Sequence, residues 1–313
     1  FRSVSFSRAY TGLVLTFAAT GLFIRLLDVM LNAHTGEIAG RRSGRPMSLL
    51  HMFFSIGAFA GPLVARAIMA AGATWDEVYR YVGLAYLAVV LASSGWLTTY
   101  LRSDSARAPA APPVQDRSAA ATHAAPTRTP RATLSVVLLG GALFFYAIHQ
   151  IGLTSWIPYF LEVGRGAAPN TASLGLSLYW VGIIAGRFLA SRIVERTGVS
   201  SVLIVGCFAS ALASLGAVLA GSIAVAHTLF LVAGLTSGAT IPLAYSMGFT
   251  AVPSRTASVT AAMSVIMLLG RLLSPWLVGA VADATSLAPA MSIPGRALIA
   301  AGAFVVAASR IRG

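Results

Sequence analysis

Nine apolar runs, near residues 10–33, 48–70, 79–100, 133–160, 172–194, 201–222, 226–250, 257–281 and 291–309, constrain this chain more than any other feature. A hydrocarbon layer about 30 Å thick is crossed by about 20 helical residues, and the runs are of that order. Lone strands leave backbone groups unpaired in lipid. A membrane barrel would instead show segments of about ten alternating residues, and these runs do not alternate. The runs therefore predict an all-α, polytopic membrane protein with lipid as its main partner. Composition agrees: only 10% of the residues are charged and 57% are hydrophobic, where a soluble domain has roughly a quarter of its residues charged.

The formal net charge of +13 raises the question of nucleic acid. All 22 basic residues are Arg and most fall in short clusters between the apolar runs, which argues against a nucleic-acid face and points to membrane orientation. Loops 35–47, 101–132, 192–200, 251–256 and 310–313 together hold thirteen Arg, whereas the opposite loops hold only Arg2, Arg8, Arg80 and Arg165. The Arg-rich set is expected to be cytoplasmic, with the C-terminus inside and the protein in the cell (inner) membrane.

Cys207 lies within an apolar run, so neither a disulfide framework nor a thiolate metal site is expected. His34, His51, His123, His149 and His227 are scattered, and neither a glycine-rich phosphate loop nor a catalytic triad is present. An enzyme is not expected, and no cofactor or metal site is implied.

The stretch 102–131 is rich in Ala, Pro, Arg, Ser and Thr and reads as a disordered cytoplasmic linker. It divides the chain into 1–101, with three runs, and 132–313, with six. The chain opens on Phe1 rather than Met, which reads as a truncation. If the linker marks the middle of a two-part protein, three helices are expected to be missing from the first part. An internal echo supports two related halves. Gly57, Gly61 and Pro62 give G-x3-G-P in the second run, Gly270, Ser274 and Pro275 give G-x3-S-P in the eighth, and Arg42 and Arg255 each stand 15 residues upstream. Parallel repeats of this kind recur in transporters.

Three stretches carry a family resemblance. The first runs Leu27-Asp28-Val29-Met30-Leu31-Asn32-Ala33, then a basic loop, then Leu49-Leu50-His51-Met52-Phe53-Phe54-Ser55-Ile56-Gly57-Ala58 to Gly61-Pro62. The second joins Phe145-Tyr146 through Gln150 to Trp156 and Tyr159-Phe160-Leu161, then Tyr179-Trp180 and Gly186-Arg187. The third is Gly234-x3-Gly238-x3-Pro242. With the order of runs and the linker, the chain resembles the major facilitator superfamily from its fourth helix to its twelfth, nine of twelve membrane helices. Within the superfamily it is most similar to fucose permease-type sugar–proton symporters. The loop around Glu195, Arg196 and Gly198 resembles the superfamily's cytoplasmic gating motif, but has Ser191 where Gly is usual and lacks the basic pair after Gly198. Related sequences often carry an acid where Gln150 stands. Gly57-x3-Gly61-Pro62 resembles part of an antiporter motif, which keeps an exchanger in view.

Asp28 is the lone carboxylate deep in an apolar run. A charge at a helix centre costs roughly 2.5–3.5 kcal/mol on insertion scales, so it rarely sits there idle. It is expected to carry a proton and accept substrate hydroxyls, or else to pair with Arg25 one turn earlier. Asn32, one turn on, and His51 can bond hydroxyls; His51 can equally serve a backbone carbonyl. Gln150, Trp156 and Tyr159 lie on the run that lines the cavity in such transporters, where aromatic faces stack on sugars and an amide both donates and accepts. The alternative for the two aromatics is an interfacial belt. Arg271, near mid-membrane, suits an anionic substrate, a pair with Asp28 or a contact with helix-end carbonyls. Arg187 lies nearer the cytoplasm and is expected at the gate with Glu195.

The resemblance implies a monomeric secondary transporter that moves a small polar solute, a sugar or similar, by alternating access, with the proton as coupling ion. The alternatives are a drug or metabolite exporter and a transport-inactive membrane protein or truncated gene product.

Overall fold

The computed structural model describes residues 10–39, 44–107 and 130–312. All regular structure among them is helical: α1 (Tyr10–Ala39), α2 (Gly44–Ala70), α3 (Trp75–Arg107), α4 (Pro130–Tyr159), α5 (Pro169–Thr197), α6 (Val199–Leu219), α7 (Ile223–Ser237), α8 (Thr240–Ala251), α9 (Thr256–Ala284) and α10 (Leu287–Arg312). Among the described residues, eight passages are long and apolar enough to cross a membrane, α7 and α8 together forming one of them. The remaining helix, α2, spans 27 residues. The central part of the expected linker, 108–129, lies outside the described residues, while its flanks are helical: α3 runs on to Arg107 and α4 begins at Pro130.

Packing groups the chain into two compact units, Phe1–Leu27 with Gly61–Thr127 and Asp28–Ala60 with Arg128–Gly313. In the first unit, α3 starts with a carboxylate turned back onto the residue before the helix. The Thr74 backbone N–H donates to Glu77 Oε2 at 2.9 Å, and Asp76 and Glu77 place negative charge in the first turn, where the helix dipole favours it. Phe17 of α1 meets Tyr79 of α3 edge to face, with ring centroids 5.9 Å apart.

In the second unit, α4 is the centre of the packing. It contacts α9 and α10, while α5 packs on α7 and α6 on both α7 and α10. Lipid offers no hydrophobic drive for helices to associate, so close approach through small residues has to supply the attraction. The crossing of α5 and α7 illustrates this. A Cβ on Gly182 would lie 2.2 Å from Leu231 O, one on Gly186 2.0 Å from Leu235 O, and one on Gly234 2.1 Å from Tyr179 O. Two G-x3-G faces thus meet backbone to backbone. The Gly234-x3-Gly238 spacing singled out in the sequence is one side of the contact, and Gly182-x3-Gly186 is the other.

The run 226–250 reads as one helix in the sequence but is broken at Gly238–Ala239. The cause is Pro242: it has no N–H to return to Gly238 O, four residues back, so the regular ladder is interrupted there. The G-x3-S-P copy in α9 also has a packing role. A Cβ on Gly270 would meet Phe144 O at 2.3 Å, and Ser274 Oγ donates to Ile148 O at 2.8 Å. In the other copy, a Cβ on Gly57 or Gly61 meets nothing within 4 Å.

Candidate functional site

The second half of α1 and the first half of α2 carry polar groups on one face each. On α1, Asp28, Asn32 and Gly36 recur every four residues, and Asn32 and Gly36 are buried. On α2, Ser48, His51 and Ser55 follow at spacings of three and four, and all three are buried. A spacing of three or four aligns groups along one helix face, so each helix presents a polar ridge amid apolar residues.

These ridges meet in a continuous hydrogen-bond chain. Asn32 Nδ2 donates to Asp28 O at 2.7 Å and to Asp28 Oδ1 at 3.0 Å. Both are acceptors, so the amide oxygen of Asn32 is turned to the other side. There it lies 2.9 Å from His51 Nε2. An amide oxygen only accepts, so Nε2 carries the hydrogen. The His51 ring stacks on Tyr245 of α8, with centroids 6.3 Å apart and planes 23° apart. Tyr245 stacks in turn on Phe249, and its hydroxyl lies 2.6 Å from Ser264 Oγ of α9.

Arg187 reaches the same place from α5. Its side chain is 1% exposed. Nε donates to Gly238 O at 2.8 Å, the carbonyl that Pro242 deprives of its helical donor. Nη1 donates to His51 O and to Ser55 Oγ, while the Ser55 hydroxyl donates to His51 O at 3.0 Å. The charges of Arg187 and Arg271 both act on His51 and on Tyr146 of α4.

The structure thus brings Asp28, Asn32, His51 and Arg187 together. Glu195 and Arg196 are exposed at the far end of α5, eight or nine residues beyond Arg187, a rise of about 12 Å at 1.5 Å per residue. Gly198 ends α5 with φ +83°, and its N–H donates to Val194 O. That left-handed conformation suits glycine at a helix end and lets α6 start at once. Gln150 is buried in α4. Trp156 and Tyr159 pair edge to face at 5.8 Å; Tyr159 is half exposed, and Trp156 lies against Gly279 of α9. Arg271, half-buried, follows Gly270 at the close contact between α9 and α4. His149 is fully buried in α4. Its Nδ1 donates to Pro294 O at 3.1 Å, tying α4 to α10.

Several groups escaped the sequence reading. Ser55 could have been found, being one turn from His51 on the same face. Glu37 accepts from Thr256 Oγ1 at 3.0 Å, placing a carboxylate at the positive N-terminal end of α9. Beside it, Phe249 covers Gly36, where a Cβ would lie 2.4 Å from the ring. Gly44, at the start of α2, lies against Val194, Val199 and Leu243. Only the three-dimensional pairing identifies these contacts.

Comparison with known proteins gives a consistent picture. Residues 3–275 match the Major Facilitator Superfamily. The protein TsgA homolog of Citrobacter koseri is 27% identical over 184 residues, covering 58% of this chain and 40% of the relative. Protein TsgA of Shigella flexneri is 27% identical over 166 residues, 53% of this chain and 38% of the relative. The matched part is therefore about two fifths of these curated relatives. Two crystal structures share the fold. A single-substitution variant of the E. coli fucose:proton symporter FucP superposes with a TM-score of 0.68 at 16% identity, covering 98% of this chain and 79% of that one. FucP in the outward conformation gives 0.70 at 19% identity, covering 98% and 78%.

Proposed function

This chain belongs to the major facilitator superfamily, and from that premise we propose that it works as a secondary transporter, not an enzyme, moving a small polar solute, a sugar or similar, with the proton as coupling ion. The observation that carries this reading is the chain Asp28–Asn32–His51. It puts the one carboxylate deep in the spans of the described residues in hydrogen-bond contact with an amide and, through that amide, with an imidazole. A carboxylate so placed can take up a proton, and its neutral form can move through a low-dielectric site that the charged form resists. Asp28, Asn32, His51, Gln150, Trp156, Tyr159 and Arg271 are the proposed substrate- and proton-handling residues. Arg187, Glu195, Arg196 and Gly198 are the proposed gate. Transport would proceed by alternating access, with bundles 1–101 and 132–313 rocking about the linker, in a monomer of the inner membrane whose C-terminus is cytoplasmic. The fold shared with a fucose:proton symporter supports the sugar-like substrate class.

The test is Asp28→Asn in the gene product reconstituted into vesicles. The neutral amide should abolish accumulation driven by a proton gradient while solute exchange across the membrane continues. Accumulation with wild-type pH dependence would remove Asp28 from the coupling role. An exporter is the second reading, favoured by Gly57-x3-Gly61-Pro62; counterflow in the reverse direction would reveal it.

A further inference from the structure

Among the described Arg, Asp and Glu residues, Arg187 alone is fully buried. A permanent charge in a membrane-spanning helix is costly and tends to be retained where it has a task. The hydrogen-bond partners found for its guanidinium are neutral: Gly238 O, His51 O and Ser55 Oγ. One arm is fixed on its own side of the fold. The Gly182/Gly186 and Gly234/Gly238 contact brings the α5 backbone against α7, and Pro242 leaves the Gly238 carbonyl to receive Nε. The other arm closes on α2. That closure is flanked by Glu37 on Thr256, Phe249 over Gly36 and Val194 with Val199 against Gly44. These contacts join the second half of α1 and the first half of α2 to α5, α6, α8 and α9.

We infer that Arg187 is a latch, holding α2 to α5 in the present conformation through His51 O and Ser55 Oγ, and that the charge on Asp28 sets its strength through Asn32 and His51. The direction of the donors gives the coupling. His51 Nε2–H points to Asn32, and Asn32 Nδ2–H points to Asp28, so every donor runs toward the carboxylate. Hydrogen bonds to an ionised acceptor are roughly twice as strong as neutral ones. A proton on Asp28 therefore relaxes Asn32, frees the His51 ring and loosens the turn of α2 whose carbonyl Arg187 grips. The other charged or titratable groups nearby are Arg25 on α1, Tyr146 on α4, Tyr179 on α5, Tyr245 on α8 and Arg271 on α9. Only the Asp28 arm rests on the proton-coupled reading; the latch itself does not.

The experiment places a cysteine at Thr260, fully buried one turn from Thr256, in a Cys207→Ala background. Its alkylation by a membrane-impermeant maleimide is followed from the face carrying residues 36–44. Arg187→Lys and Ser55→Ala should each raise the labelling rate by about five- to tenfold, the scale of one or two interhelical hydrogen bonds in lipid. Asp28→Asn should raise it in the wild-type background and add nothing when Arg187→Lys is already present. Wild-type labelling in both Arg187→Lys and Ser55→Ala, even with lowered thermal stability, would make Arg187 a structural anchor and overturn the latch. An independent, multiplicative effect of Asp28→Asn would overturn the coupling arm. Solute accumulation by Asp28→Asn is measured in parallel. Its persistence alongside the predicted labelling pattern would remove proton-driven transport and leave the latch standing.

Discussion

At the residue scale, the chain from Asp28 to Arg187 joins groups that the sequence marks one by one. Each stands out as a polar side chain in an apolar run. What the sequence cannot supply is the pairing: Arg187 and His51 are 136 positions apart, and no local pattern encodes such a contact. Arg187 and Glu195 both lie toward one end of α5, which groups them by sequence, whereas Arg187 is buried against α2 and Glu195 is exposed. The bond between Asn32 and His51 also separates two kinds of substitution. Gln at position 51 keeps a donor for Asn32 Oδ1, whereas Leu leaves that oxygen buried without one. Interhelical hydrogen bonds in membranes are worth about 0.6–1.7 kcal/mol. His51→Leu should therefore lower stability by about 1 kcal/mol relative to His51→Gln, read as the gap in thermal unfolding midpoints in detergent. Equal midpoints for the two variants would mean that the bond contributes nothing to holding α1 on α2.

At the element scale, every apolar run proved to be helical, with 226–250 split in two, and several helices outrun their runs. The run 10–33 becomes Tyr10–Ala39, and 79–100 becomes Trp75–Arg107. Apolar length measures what fits in hydrocarbon, while helical hydrogen bonding continues into the polar layer beyond it. The break between α7 and α8 was missed because hydropathy is blind to a missing N–H; Pro242 was the available signal. Packing also divides glycines that the sequence treats alike. Gly186 lies backbone to backbone against Leu235, while Gly57 has open space around its Cα. Gly186→Ala forces α5 and α7 apart and should cost about 1–3 kcal/mol, the range for overpacking. Gly57→Ala should fold as the wild type does, with a small gain in helix propensity. Thermal unfolding of the two variants side by side checks this, and an unaffected Gly186→Ala would refute the close crossing.

At the scale of the whole molecule, membership of the superfamily and an all-helical fold were legible because nine runs, a basic linker and three motif stretches agree. The substrate was not, because a small polar solute is recognised by a few side chains whose spatial arrangement only the folded chain sets. Orientation is a separate matter, argued from charge alone. Arg residues resist translocation, so short loops rich in them stay in the cytoplasm. Thirteen Arg stand on one side against four on the other, and leaving out any one loop of the Arg-rich set still leaves at least eight against four. Residues 101–132 contribute five of the thirteen, so that segment provides the most direct test. A cysteine at position 110 in a Cys207→Ala background should react with an impermeant maleimide only after cells are opened or membranes inverted. Cys207 itself is buried, so in the unmodified protein it should give little background under the same conditions. A cysteine at position 165, on the Arg-poor side, should show the opposite pattern. Both positions follow from one orientation, so the two sets of labels must reverse together. Labelling of position 110 in intact cells would invert the topology and move the proposed gate at Glu195, Arg196 and Gly198 to the outer face.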